Sequence, residues 1–122
     1  MRKILISINP EYVDKIFDGS KKFEYRTKLP NKNVDKLVIY CTAPVKKVVG
    51  EVDVIGVLQE NPKTLWKKTK NQSGTKLEYY KNYFKNKDSA CAYVLGKTKR
   101  YAKPKKIEDY GFDNPPQSFF YL

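Results

Sequence analysis

The chain has 122 residues, 25 Lys and Arg against 13 Asp and Glu, and no histidine. That length suits one domain, spanning 1–122, with a core that needs no metal or disulfide staple, and a net charge of +12 favours polyanionic partners. Without histidine the chain lacks the commonest general base and the commonest metal ligand, which excludes a serine–histidine triad, a histidine-based ribonuclease and an ordinary zinc hydrolase.

Residues 2 to 8 predict a first strand, with Ile4, Ile6 and Ile8 alternating against Lys3, Leu5 and Ser7. Asn9 as N-cap and Pro10 at the first helical position then open a helix, since proline's missing N–H costs nothing there. Tyr12, Val13, Ile16 and Phe17 form its apolar stripe, and Gly19 stands where a left-handed C-terminal residue ends it. Next, Phe23, Tyr25 and Leu29 alternate with Lys22, Glu24, Arg26 and Lys28, the period of a half-buried strand. Glu24 and Arg26 therefore point the same way, with Lys21 at the turn before them. On pattern alone this is an ordinary solvated strand face carrying a weak ion pair.

Leu37–Cys41 is a continuous apolar run, the pattern of a strand covered on both sides, and Thr42-Ala43-Pro44 breaks it. A strand follows from Val48 to Leu58, where Gly50 and Gly56 predict bulges or close backbone approach, as where a sheet curls into a barrel. Asn61-Pro62 repeats the cap-then-proline signal and starts a helix with Leu65 and Trp66, whose Lys67, Lys68 and Lys70 read as a solvated face. After a loop over 71–74, Leu77, Tyr80, Tyr83 and Phe84 share one face of a third helix. Residues 90–95 form another strand, followed by a basic segment in which Pro104 limits pairing, and 119–122 form a last strand tied into the sheet. Cys41 and Cys91, both in apolar runs, read as buried free thiols. No apolar run is long enough to cross a bilayer, and Met1-Arg2-Lys3 leads into a short strand, so no membrane partner is expected and the expected location is the cytoplasm. The element order fits an α+β chain: a small barrel, mixed but mostly antiparallel, with about three peripheral helices, or else an open α+β sheet.

Three groups of residues are candidates for a site. Lys21, Glu24 and Arg26 combine a point charge, a carboxylate and a planar fork suited to phosphate or a base edge. The basic segment Lys97, Lys99, Arg100, Lys103, Lys105 and Lys106 suits sequence-independent phosphate contacts, or serves only as a solubilising loop. Among 10 tyrosines, most of them core, Tyr101 lies among those cations and is the candidate for base stacking, whereas Tyr25 falls on the packing side of its strand.

Gly19, Lys21, Glu24 and Arg26 resemble the G-x-K-x-x-E-x-R motif of the ASCH family, small domains related to the PUA RNA-binding fold. The lead-in Ile4–Pro10 and the ending Pro115-Pro116-Gln117-Ser118-Phe119 resemble a branch that is little more than this domain. The resemblance implies a PUA-like pseudobarrel and a cleft lined by Lys21, Glu24 and Arg26, with Lys22, Gln117 and Ser118 as further contacts. It implies RNA, a nucleotide or a nucleoside as ligand, in connection with translation or RNA metabolism, and neither cofactor nor metal. Some relatives are labelled transcriptional regulators, but this chain has no spare length for a helix-turn-helix, so DNA is the less favoured partner. The alternative is an enzyme that hydrolyses N4-acetylcytidine or cuts RNA. In that amidohydrolase branch the motif lysine acts with a threonine three residues later and a distant glutamate. Here Lys21 is kept, Glu24 stands at the threonine position, and Glu78 is the nearest acidic residue for the distant role. A Lys21–Glu24 pair would then activate water.

Overall fold

The apolar runs β1 (Lys3–Ile8) and β3 (Lys36–Cys41) lie side by side and parallel in the computed structural model, which describes residues 1–122. On the other side of β3 runs antiparallel β4 (Lys47–Glu60), then antiparallel β5 (Ala90–Lys105). Short β2 (Phe23–Arg26) pairs with β5 at one edge and β6 (Phe119–Tyr121) with β1 at the other, giving the order β2-β5-β4-β3-β1-β6. Three helices accompany the sheet: α1 (Pro10–Asp18), α2 (Pro62–Thr69) and α3 (Leu77–Tyr83). This is an α+β pseudobarrel.

The curl has a sequence cause. The ladders slip between Ile39 and Tyr40, between Val48 and Gly50, and on both sides of Val54, so β4 bends repeatedly. At Gly50 a Cβ would meet the Lys99 carbonyl oxygen at 2.5 Å and the Phe17 ring at 2.6 Å. The absent side chain is what lets α1 and β5 close on this strand.

The concave face collects Ile4, Ile6, Leu37, Ile39 and Val52 under Val13 and Ile16 of α1. The opposite face of β1 and β3 buries Leu5, Val38 and Tyr40 beneath the segment around Ile107 and Phe112. Those two strands are covered on both sides, as their unbroken apolar runs require. A third cluster, with Tyr25, Leu65, Tyr80, Phe84 and Ala92, joins α2 and α3 to the β2 edge. Cys41 and Cys91 are buried free thiols. No helix is long and apolar enough to cross a membrane.

Four details depart from the expectations. The Asn9 side chain makes no cap bond; its Oδ1 accepts from the Thr42 hydroxyl at 3.1 Å, while Asn61 does cap α2 through the Thr64 N–H at 2.9 Å. Leu77 is exposed, because α3 begins beyond the cluster it was expected to join. The polar face of β2 is not solvated: Glu24 is buried. The basic segment is no loop but the far half of β5, paired through Lys99 with Glu51 and through Arg100 with Gly50. Lys97 and residues 101–104, around Pro104, fall out of register.

Candidate functional site

β1 and β2 are not neighbours in the sheet, yet Arg26 bridges them at the mouth of the half-barrel. Its Nη2 donates to the Ser7 carbonyl at 2.9 Å, closing side chain to backbone a gap that no strand pairing closes. The same guanidinium donates from Nε at 3.2 Å and from Nη2 at 2.9 Å to Glu24 Oε2. Glu24 stands opposite Tyr93 in the ladder, so its face of β2 looks into the barrel, while Tyr25 on the other face packs beneath α2 and α3. With side chains 18% and 10% exposed, Arg26 and Glu24 form a largely buried pair, and Glu24 Oε1 takes no bond from the protein.

Lys21 is 2% exposed. Its backbone N–H donates to Lys15 O at 3.0 Å, and that of Lys22 to Gln72 O at 2.8 Å, which pins the turn between α1 and the 3-10 turn Lys70–Gln72. The Lys21 Nζ donates to Ser73 O at 2.7 Å and to the Thr75 hydroxyl at 3.1 Å, and lies about 5 Å from the rings of Tyr12 and Tyr25. Burial pulls its pKa below the ordinary lysine value; the Glu24 carboxylate opposes that, and the charges of Lys15 and Arg26 add to it. Gly74, at φ +64°, closes the loop over the lysine stem: a Cβ there would sit 2.6 Å from Lys21 Cβ.

Above these groups opens a cleft of about 150 Å³. Its polar lining is Ser7, Asn9, Lys21, Glu24, Arg26 and Thr75, and its walls are tyrosines 12, 25, 79, 80 and 83. Tyr25 and Tyr80 are anchored by their hydroxyls, to Thr69 Oγ1 at 2.6 Å and Pro62 O at 2.7 Å. Tyr79 is half exposed at the rim, 5.6 Å from Tyr12 and parallel to Tyr83. Burial raises the pKa of Tyr12, Tyr25 and Tyr83 above the ordinary tyrosine value. The volume of the cleft is below the range of drug-sized pockets and is on the scale of a single ring. A larger depression of about 260 Å³ beside Leu29, Val54 and Val57 has Lys32 as its one charged lining residue and offers no comparable constellation.

Of the residues singled out in the sequence, Lys21, Glu24 and Arg26 meet in this cleft. Lys22 does not; its ammonium lies near Gly19 at the end of α1. Lys97, Lys99, Lys103 and Lys105 are exposed on β5, and Arg100 stacks on Phe17 at 4.8 Å and pairs with Asp14 at 3.2 Å. Tyr101 is half-buried against the outer face of the sheet, with the Lys105 ammonium over its ring. Gln117 and Ser118 are exposed outside the lining, although the preceding Pro116 carbonyl accepts from Ser7 Oγ at 2.7 Å. Glu78 is exposed and lines nothing there. Sequence reasoning missed Thr75, Gly74, Tyr12 and Tyr79. The one signal available was a Ser-Gly-Thr turn beside a tyrosine-rich helix.

The chain as a whole is similar to known proteins. The ASCH domain family model matches residues 6–108. Over 121 residues, 98% of the chain, it is 36% identical to a stretch of the large ribosomal subunit protein uL22 of Ureaplasma parvum and 32% identical to one of that organism's ATP synthase subunit alpha, covering 39% and 15% of those proteins. It is also 30% identical over 95 residues, 77% of the chain, to an ASCH domain-containing ribonuclease of Zymomonas mobilis. The chain thus spans less than two thirds of the length of each of these relatives, 64% in the last case. The crystal structure of a Tyr-to-Phe variant of the Zymomonas mobilis ASCH protein superposes with a TM-score of 0.91 at 27% identity, covering 100% of this chain and 91% of that one.

Proposed function

The chain belongs to the ASCH domain family, and from that premise we propose that it is an RNA-binding module, active in RNA metabolism or translation, which takes one unpaired base or nucleoside into the cleft at Lys21, Glu24 and Arg26. The observation that carries this reading is the joining of ring-sized volume, tyrosine walls and a buried Glu24–Arg26 pair in one place. Stacking on the rings supplies affinity without choosing a sequence. The free Glu24 Oε1 and the Arg26 fork supply an acceptor and donors for a base edge. The cations of β5 add a long-range attraction for the phosphate backbone.

The test is fluorescence anisotropy with a labelled single-stranded RNA and the duplex of the same sequence. Binding to the single strand at least tenfold tighter, weakened in Arg26→Met and in Tyr79→Ala, is the expected result. Equal binding to both forms, unchanged in the two variants, would remove the cleft from the reading.

A second reading, hydrolysis, is favoured by one contact: Lys21 Nζ lies 3.1 Å from Thr75 Oγ1. The amidohydrolase pattern of lysine, threonine and glutamate is met here with threonine and glutamate entering from exchanged positions in the chain. In this reading a neutral Lys21 amine takes the Thr75 proton and Oγ1 attacks an acyl carbon. The lysine then returns the proton to the leaving exocyclic amine, and water releases the acyl group. The relative named a ribonuclease keeps RNA cleavage within the same reading. Incubation with N4-acetylcytidine and with labelled RNA, followed by chromatography, checks it: product absent in wild type, or still formed by Thr75→Val, sinks the Thr75 route.

A further inference from the structure

Positive charge is concentrated beside the cleft. Between Lys63 and Lys87 lie eight lysines and one acidic residue, Glu78. All eight are exposed, and only Lys68 has a carboxylate within 4.0 Å, that of Glu60. Of the cations of β5, Arg100 is paired with Asp14 and Lys105 lies over the rings of Tyr101 and Tyr110 at 5.1 and 5.9 Å, while Lys97, Lys99 and Lys103 are exposed.

Position separates the two groups further. Tyr12 of α1 lines the cleft, whereas Asp14, two residues on and so on the opposite side of that helix, reaches Arg100. Helix α1 therefore stands between the cleft and Arg100. Lys76 and Lys70 adjoin the cleft, while Lys81, two residues from both Tyr79 and Tyr83, lies on the far side of α3. Lys76 directly follows Thr75, which lines the cleft, and lies one turn before Tyr79 at its rim. Lys70 begins the turn that leads into the loop over Lys21. The Tyr80 hydroxyl bond to Pro62 O and its packing on Trp66 hold α2 and α3 as one body, so these charges keep their places relative to the tyrosines.

We propose that the lysines of α2 and α3, running from Lys70 and Lys76 beside the cleft round α3 to Lys81, are the track for the phosphates of the single-stranded RNA whose base enters the cleft. This rests on the base-in-cleft reading and adds the course of the strand. A polyanion leaving past Tyr79 meets consecutive unpaired ammonium groups, each able to release a counterion on contact.

Titrations of a labelled 12-nucleotide single-stranded RNA over a salt series test it. They compare wild type, Lys70→Gln/Lys76→Gln/Lys81→Gln, and the charge-matched Lys97→Gln/Lys99→Gln/Lys103→Gln. Losing three single-strand phosphate contacts lowers the slope of log affinity against log salt by about 2. That drop is expected for the first triple variant and less than half of it for the second. Should the first triple variant unfold by circular dichroism, Lys63→Gln/Lys67→Gln/Lys85→Gln takes its place with the same expectation. Equal drops, or a larger one for the β5 variant, overturn the track while leaving the cleft reading intact, provided Tyr79→Ala still weakens binding. Wild type that binds no RNA removes both.

Discussion

The ammonium of Lys21 is held by the carbonyl of Ser73, 52 residues further along the chain, at 2.7 Å. That contact, together with the Thr75 hydroxyl, turns a surface-type residue into the buried centre of a tyrosine-walled cleft. Its geometry depends on Gly74, which has no side chain to push the lysine stem aside.

Gly74→Ala is expected to destabilise the fold by about 1–3 kcal/mol, from left-handed backbone strain and from the clash with Lys21. RNA binding at the cleft should weaken with it. Gly111→Ala is the control: it has φ +87° but no neighbour within 4 Å, so it carries the backbone strain alone. Urea melts in which Gly111→Ala loses as much stability as Gly74→Ala would show that crowding at Lys21 is irrelevant.

The lowered pKa of Lys21 sets a pH trend. Burial disfavours its charged form, so the folded state binds fewer protons than the unfolded chain in the window below the ordinary lysine value of 10.5. Stability from this group is present above that value and lost as pH falls through the folded-state pKa. Lys21→Met removes the titration. The stability of wild type relative to Lys21→Met should therefore rise with pH through the alkaline window, read by urea melts at a series of pH values. A flat difference would mean that the lysine is not desolvated.

Tyr79 and Tyr80 are adjacent but should respond oppositely. Tyr80 is 3% exposed and bonded to Pro62 O, so Tyr80→Ala should cost about 3–5 kcal/mol of stability. Tyr79 sits half exposed at the rim, and Tyr79→Ala should leave the melt nearly unchanged while weakening RNA binding by about 1–3 kcal/mol. Thermal melts and anisotropy on both variants distinguish the floor of the cleft from its rim.

Removing Arg26 leaves Glu24 as an unpartnered buried carboxylate, and Arg26→Met is expected to lose about 3–5 kcal/mol. Adding Glu24→Gln should recover part of that loss, because a neutral amide tolerates burial. RNA affinity should not recover. A double variant no more stable than the single one would show that Arg26 acts mainly through its bond to Ser7 O.

Much of the architecture could be read from local pattern. Asn9-Pro10 and Asn61-Pro62 marked the starts of two helices, and Gly19 marked the end of the first with φ +88°. The unbroken apolar run to Cys41 announced a strand covered on both faces, and Gly50 a close approach. Each signal works because its cause lies within a few residues: a ring that sets φ, a missing Cβ, a period of two. The spacing of Lys21, Glu24 and Arg26 likewise placed all three at one end of a strand.

What they meet there was decided by tertiary structure. Period two said that Glu24 and Arg26 share a face, but could not say that the face turns into a half-barrel, because that depends on bulges in β4 and β5 far along the chain. For the same reason Thr75 was invisible as a partner of Lys21, and Tyr101, ringed by cations in sequence, proved to be packed against the sheet while Tyr12 and Tyr79 reached the cleft. Composition determined that this chain is a strongly basic, folded domain without histidine chemistry. Which of its lysines are buried, paired or free was determined only when the sheet curled, since a charge's environment is set by what the whole chain brings near it.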